Sequence, residues 1–307
     1  MFLKIIGNNN LVGKVSFFIL FIAVVLFKYF FSNHNYLLIE NNFFINDFKD
    51  VVFVLNCIFL FFVSIGFNNM IYEKGVIKKN NIITAVVFLT IHPFLYDFKL
   101  LITGIIFLFF LEKIIEIVLN EKIDNQVFYS AFFVSIISVF NIYFLLYSIV
   151  PFFILFLFKN NLLRYIIIYL IGVSIPFFVL FFLKILFEID LRNQFNFNEN
   201  IKIDLSQFKY IIIVLTVSLF SFIEIFNWIN KKSIRSRKSF FVIIIISIIT
   251  ILFFVFNLIS YNFFALLFSF PLSLFLSNYY LYSKRILIKQ FLFFIFIFGM
   301  FLSYYNL

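Results

Sequence analysis

Residues 162–187 read LLRYIIIYLIGVSIPFFVLFFLKILF, and their only charged side chains are Arg164 and Lys184, near the two ends. A helix of about 20 apolar residues crosses the roughly 30 Å hydrocarbon core of a bilayer, because each residue advances about 1.5 Å. Charged side chains near the ends of such a helix reach the two membrane surfaces. The segment therefore predicts a membrane-spanning helix.

The composition of the whole chain extends this prediction to the entire protein. Of its 307 residues, 64% are apolar and only 12% are charged, whereas soluble domains carry about 25% charged residues. A soluble protein of this size must expose a large share of its residues to water, which excludes a soluble enzyme and a disordered chain. We therefore expect an all-α polytopic transmembrane helix bundle, with residues 1–307 forming a single integral membrane domain and no soluble domain.

Polar or basic turns, such as Asn68-Asn69 and Lys78-Lys79-Asn80-Asn81, divide the apolar runs into about eleven spans. Two stretches, 127–158 and 239–279, can be divided differently, and 127–140 is short enough for a tilted or re-entrant helix. The predicted spans are 15–32, 51–67, 82–97, 99–119, 127–140, 142–158, 162–187, 209–229, 239–257, 261–279 and 286–306.

The basic residues predict the orientation. Alternating the spans from an inside N-terminus places most of the 24 Lys and Arg residues on the inner side, as the positive-inside rule expects. The localisation predicted is the bacterial inner (cytoplasmic) membrane, with a cytoplasmic N-terminus. The net charge of +10 then reflects loop anchors, so the expected partners are membrane lipids and other inner-membrane proteins, and no nucleic acid.

Four residues on the predicted outer side are weak candidates for a catalytic site, namely Asp47, Asp50, His92 and Asp97. A carboxylate just outside the first span could take the proton of an acceptor hydroxyl, or hold a divalent cation against phosphate charge. His92 and Asp97 flank Pro93, which should end the third helix. Solvation of the loop and a tight structural turn are the alternative interpretations.

No cofactor and no metal site is predicted. Cys57 is the only cysteine and lies in an apolar run, and the chain has only two histidines, His34 and His92. Motifs that cradle phosphate or bind zinc are missing from the sequence.

The fifth span carries a face of small residues that includes Ala131 and Ser135, four residues apart. Residues with this spacing lie on one side of a helix, and small residues allow helices to approach closely. The face, which also includes Ser130 and Ser138, is interpreted as a packing seam, with a polar lining for a lipid head group or a solute as the alternative.

Three stretches resemble a family of bacterial multi-pass inner-membrane proteins of unknown function. They are the Lys78–Asn81 turn, residues 159–176 (KNNLLRYIIIYLIGVSIP) and residues 264–280 (FALLFSFPLSLFLSNYY). Residues 111–116 (LEKIIE) depart from the basic pair expected there. The resemblance implies an all-helical membrane protein and supplies no activity or site residues.

A fainter resemblance, to polytopic glycosyltransferases that use polyprenyl-phosphate sugars, rests on the acidic first outer loop and the closely spaced helices. The expected function is an accessory role of this membrane protein in envelope biology. The alternatives are transfer of a sugar from a polyprenyl-phosphate carrier, and transport of a small solute. The sequence does not decide whether the protein is an enzyme.

Overall fold

The fold, taken from a computed structural model, is built from helices. The structure describes residues 10–31, 49–92, 98–140, 142–159, 162–187 and 232–304, together with residues 3, 7, 218, 221, 228 and 229. These residues form ten α-helices and one 3-10 helix, Ile142–Ser148, and contain no strand. The all-α prediction is therefore confirmed. The α-helices are α1 (Leu11–Phe31), α2 (Lys49–Glu73), α3 (Ile83–Ile91), α4 (Phe98–Leu119), α5 (Asp124–Phe140), α6 (Ile149–Phe158), α7 (Leu162–Phe187), α8 (Ile234–Val255), α9 (Tyr261–Tyr282) and α10 (Ile286–Tyr304).

Within the described ranges, four helices are long and apolar enough to cross a membrane. They are Phe53–Glu73 of α2, Leu162–Leu186 of α7, and the whole of α8 and α9. Only 17% of an apolar 18-residue window in α7 is buried, against 89% of the corresponding window in α9. An apolar helix with so much exposed surface is compatible with lipid contact. The predicted span 209–229 lies outside the described residues, apart from 218, 221, 228 and 229.

The predicted break at Asn68-Asn69 is wrong, because α2 continues through both residues to Glu73. The Asn68 amide nitrogen donates to the main-chain oxygen of Asn81, at 2.8 Å. This bond gives a buried polar side chain a partner outside its own helix, which removes much of the cost of placing it there. A polar pair that resembles a turn in the sequence is thus accommodated inside a helix.

Helix α3 ends at Ile91, and His92 after it has an extended ψ of 124°. Proline disfavours helical geometry in the residue before it, so the prediction that Pro93 ends this helix is confirmed. Helix α4 begins at Phe98. Helix α3 is nevertheless shorter than the predicted span 82–97. Its 9 residues cover less than half of a bilayer core at about 1.5 Å per residue.

The predicted span 142–158 consists of the 3-10 helix and α6 in succession. Pro151 lies in the first turn of α6, where its missing N–H costs least. In a continuous α-helix the N–H of residue 151 would bond the Tyr147 carbonyl. Proline has no N–H to form this bond, and its ring would clash with the same carbonyl. The change of helix type before Pro151 follows from this local conflict.

The chain forms two compact units, each assembled from separate segments. Unit 1 comprises Met1–Leu101, Lys202–Ser233 and Phe268–Leu307, and unit 2 comprises Ile102–Ile201 and Ile234–Leu267. In unit 1, α3 packs against α1, α2 and α10. In unit 2, α7 packs against α5 and α6, and α6 also packs against α8.

Aromatic side chains fill the core of each unit. In unit 1 the rings of Phe67, Phe88 and Phe270 meet with centroids 4.8–5.6 Å apart. In unit 2 the buried ring of Tyr147 meets Phe253 at 4.8 Å, and its hydroxyl shares a 2.8 Å hydrogen bond with Thr250. Because each bulky ring contacts several others, these clusters fix how the helices of each unit pack.

Candidate functional site

Cations from three segments collect at one end of unit 1, in a region called the basic end here. The first segment is the loop after α2, where Gly75 adopts a φ of +68°. A positive φ is the usual end of a helix and costs glycine no strain. The chain then turns so that Val76 is buried while Lys78 and Lys79 are exposed. The basic end consists of Lys74, Lys78, Lys79, Lys232, Lys284, Arg285 and Lys289.

Lys232 joins the three segments. Its Nζ donates to the main-chain oxygen of Val76 in the first loop and lies 2.9 Å from the centroid of the Trp228 ring. The Trp228 ring in turn meets the Tyr282 ring at the end of α9, with centroids 4.9 Å apart. The lysine side chain therefore holds the 76–79 loop beside the α9–α10 connection.

Opposing influences act on the charge of Lys232. Burial lowers the pKa of this lysine below its ordinary value of 10.5, and the Lys78 charge acts in the same direction. The Val76 carbonyl oxygen and the face of the Trp228 ring favour the ammonium form. Burial is the main cause of the lowered pKa, and the contribution of Lys78 shows that this second cation lies close to Lys232.

Four exposed cations lie in the two connections that Lys232 joins. Lys78 and Lys79 lie in the first loop, and Lys284 and Arg285 lie between α9 and α10. Among the described residues, no carboxylate lies within ion-pair distance of any of these four. An arrangement of this kind attracts anions.

The polar groups of unit 2 form local ties between helix ends. The Arg164 guanidinium of α7 bonds the Asp124 carboxylate of α5 at 2.5 Å, and the Lys159 ammonium donates to the main-chain oxygen of Asn120. Burial lowers the pKa of Lys159, as does the Lys238 charge, while Glu121 raises it. Both Arg164 and Lys159 therefore have partners within unit 2.

Lys113 and Glu116 form an ion pair in α4. The Lys113 ammonium lies 2.9 Å from the Glu116 carboxylate and 3.8 Å from that of Glu112. Pairs three residues apart on a helix contribute only a few tenths of a kcal/mol, so this cluster is a minor stabilising contact.

The four candidate catalytic residues are described only in part. Asp47 and Asp97 lie outside the described residues, and Asp50 is described only as backbone in the first turn of α2. The main-chain N–H of His92 donates to the Phe88 oxygen at 2.8 Å, and the two rings lie 5.3 Å apart. A site formed by these residues stays a prediction.

The small-residue face of α5 packs against α7. Ala131 and Ser135 are buried, and the Ser135 hydroxyl donates to the main-chain oxygen of Val173 at 2.7 Å. A Cβ added to Gly172 would lie 2.8 Å from the Ala131 Cβ and 2.7 Å from the Phe128 oxygen. The face is therefore a packing surface, as the spacing of its residues indicates.

No three His, Cys, Asp or Glu side chains are grouped to hold a metal ion within the described part of the chain. The basic end was not predicted as a site, although its cations were assigned to the inner side as loop anchors. The sequence feature that could have indicated this region is the repetition of paired cations, Lys78-Lys79 and Lys284-Arg285, together with the single tryptophan, Trp228.

Comparison of the chain with protein-family models, with curated proteins and with solved structures finds no match.

Proposed function

We propose that the chain is a multi-pass protein of the bacterial inner membrane, with about eleven spans and a cytoplasmic N-terminus, and that it serves an accessory role in envelope biology. The apolar runs of the sequence support the spans, and the exposed apolar surface of α7 supports contact with lipid. The distribution of Lys and Arg supports the orientation.

The buried serine hydroxyls of α9 support the proposed accessory role. An 18-residue window of helix α9 is 89% buried, and the hydroxyls of Ser273 and Ser277 donate to main-chain oxygens of their own helix at 2.9 and 3.0 Å. Small side chains whose donors are satisfied in this way let neighbouring helices approach closely. These two serines thus support close packing of the bundle, which is the property expected of an accessory protein.

Complementation of a deletion strain tests this proposal against the sugar-transferase alternative. A variant carrying Asp47→Asn and Asp50→Asn should restore the envelope phenotype fully, because an accessory protein needs neither carboxylate as a base or a metal ligand. The matched control carries Glu199→Gln and Asp204→Asn in the predicted outer loop between spans 162–187 and 209–229, which makes the same change in charge.

Membrane abundance of both variants is measured by immunoblot beside the phenotype. Loss of complementation by the Asp47/Asp50 variant at normal abundance, with the control still active, would overturn the accessory role in favour of the transferase.

A further inference from the structure

We propose that the basic end of unit 1 binds the head group of an anionic phospholipid, with an acyl chain of that lipid lying along the exposed apolar face of α10. This inference rests on the proposed membrane location and is independent of the accessory role.

The charge of the basic end favours the binding of an anion. Lys78, Lys79, Lys284 and Arg285 are exposed within one surface, and the described carboxylates do not pair with them. Their mutual repulsion is a cost that a phosphodiester near them would offset. Arginine also binds the oxygens of a phosphodiester through two parallel hydrogen bonds.

The geometry of the basic end holds the cations close together. Lys232 connects the Val76 carbonyl of the first loop to the aromatic pair Trp228 and Tyr282. The Lys289 ammonium donates to the Ser283 oxygen at 3.1 Å, which ties the first turns of α10 to the end of α9. The exposed cations therefore project from a framework that is assembled without the ligand.

An exposed apolar stripe on α10 begins two residues after Arg285. Leu287 of α10 is 82% exposed, and further large side chains follow it at helical spacing. Residues separated by three or four positions lie on one face of a helix, while Phe293 and Phe296 are buried on the opposite face. The stripe consists of Leu287, Phe291, Phe294 and Phe298.

The continuity of charge and stripe favours a phospholipid over a free phosphate ion. Only one residue, Ile286, separates Arg285 from Leu287, so the head-group cations adjoin the first apolar side chain of the stripe. A soluble anion would use the cations alone. A lipid matches both parts, because its phosphate lies at the membrane surface and its acyl chain extends into the hydrocarbon beside α10.

The single tryptophan provides a direct assay. Trp228 lies in the framework of the basic end, and a nitroxide attached to an acyl chain close to the head group quenches tryptophan fluorescence over short distances. The full-length protein is reconstituted in phosphatidylcholine bilayers that contain equal small amounts of nitroxide-labelled phosphatidylglycerol or nitroxide-labelled phosphatidylcholine.

Labelled phosphatidylglycerol should quench Trp228 more strongly than labelled phosphatidylcholine. A variant with Lys78→Gln, Lys284→Gln and Arg285→Gln should lose this preference, by about fivefold in relative affinity for each cation removed. The control with Lys122→Gln, Arg235→Gln and Arg237→Gln removes the same charge from exposed positions of unit 2 and should keep the preference.

A double variant with Lys284→Gln and Arg285→Gln serves if the triple variant does not reconstitute. Equal quenching by the two lipids would overturn the proposal. So would a preference that survives in the basic-end variant, or one that the control loses to the same extent.

Inorganic phosphate, compared with sodium chloride at equal ionic strength, separates a lipid from a free anion. Phosphate should leave the preference for phosphatidylglycerol unchanged. Loss of this preference in phosphate would identify the free anion as the ligand and overturn the lipid assignment. None of these results depends on complementation by the Asp47/Asp50 variant, so the two proposals can fail separately.

Discussion

Replacing Gly172 with alanine should weaken the packing of α5 against α7. The added methyl group would lie 2.7 Å from the Phe128 oxygen and 2.8 Å from the Ala131 Cβ. Carbon atoms in favourable contact lie about 3.5–4.0 Å apart. Both obstacles are rigid, one being helix backbone and the other an atom fixed to it, so the helices themselves must separate.

Gly104→Ala is a matched control in α4. Its added methyl group would lie 3.1 Å from the Leu266 Cδ1 atom, at the end of a side chain that can rotate away. Both substitutions gain the same helix propensity of alanine over glycine. The difference between the two variants therefore isolates the close contact at Gly172.

Forcing a methyl group into a well-packed site costs about 1–3 kcal/mol. With roughly 2 °C of melting temperature for each kcal/mol in a chain of this size, Gly172→Ala should melt about 2–6 °C below Gly104→Ala. Thermal unfolding of both proteins in one detergent, at one scan rate, measures this difference.

A second substitution, Ala131→Gly, tests whether the contact with the Ala131 Cβ causes the loss of stability. Ala131→Gly loses helix propensity in either background, but it removes one of the two close contacts only when residue 172 is alanine. It should therefore cost less stability in the Gly172→Ala protein than in the unsubstituted protein, while the Phe128 oxygen remains in place. If Gly172→Ala melts at or above the temperature of Gly104→Ala, the close approach of α5 and α7 is not a determinant of stability and the reasoning fails.

Two further predictions concern the orientation and the basic end. In a Cys57→Ser background, a cysteine placed at the exposed Ser233 should resist a membrane-impermeant thiol reagent in intact cells and react after permeabilisation, and labelling in intact cells as strong as at a cysteine placed at Asn196 would reverse the orientation. Burial lowers the pKa of folded Lys232 from 10.5 to about 6, and Lys78 and Tyr282 face it. Between these two pKa values the unfolded chain binds more protons than the folded chain, so stability should rise as the pH increases from about 6 to 10.5. Lys232→Gln should reduce this rise between pH 7 and pH 9 in thermal unfolding, and an identical pH dependence in both proteins would contradict the assigned environment.

The sequence alone determined the features that depend on composition and on local backbone chemistry. The apolar run 162–187 coincides with α7, because a long apolar segment can satisfy its main-chain groups within one helix. The end of α3 before Pro93 also follows from one residue and its neighbour. In both cases the deciding interactions lie within a few residues along the chain.

Only the tertiary structure decided the features that depend on partners distant in the sequence. Asn68-Asn69 resembles a turn, yet α2 continues because Asn68 bonds the Asn81 oxygen. Lys232 bonds Val76, which lies 156 positions away, and no local pattern encodes that contact. Spacing along a helix shows which residues share a face, but the identity of the opposing group depends on how the helices pack.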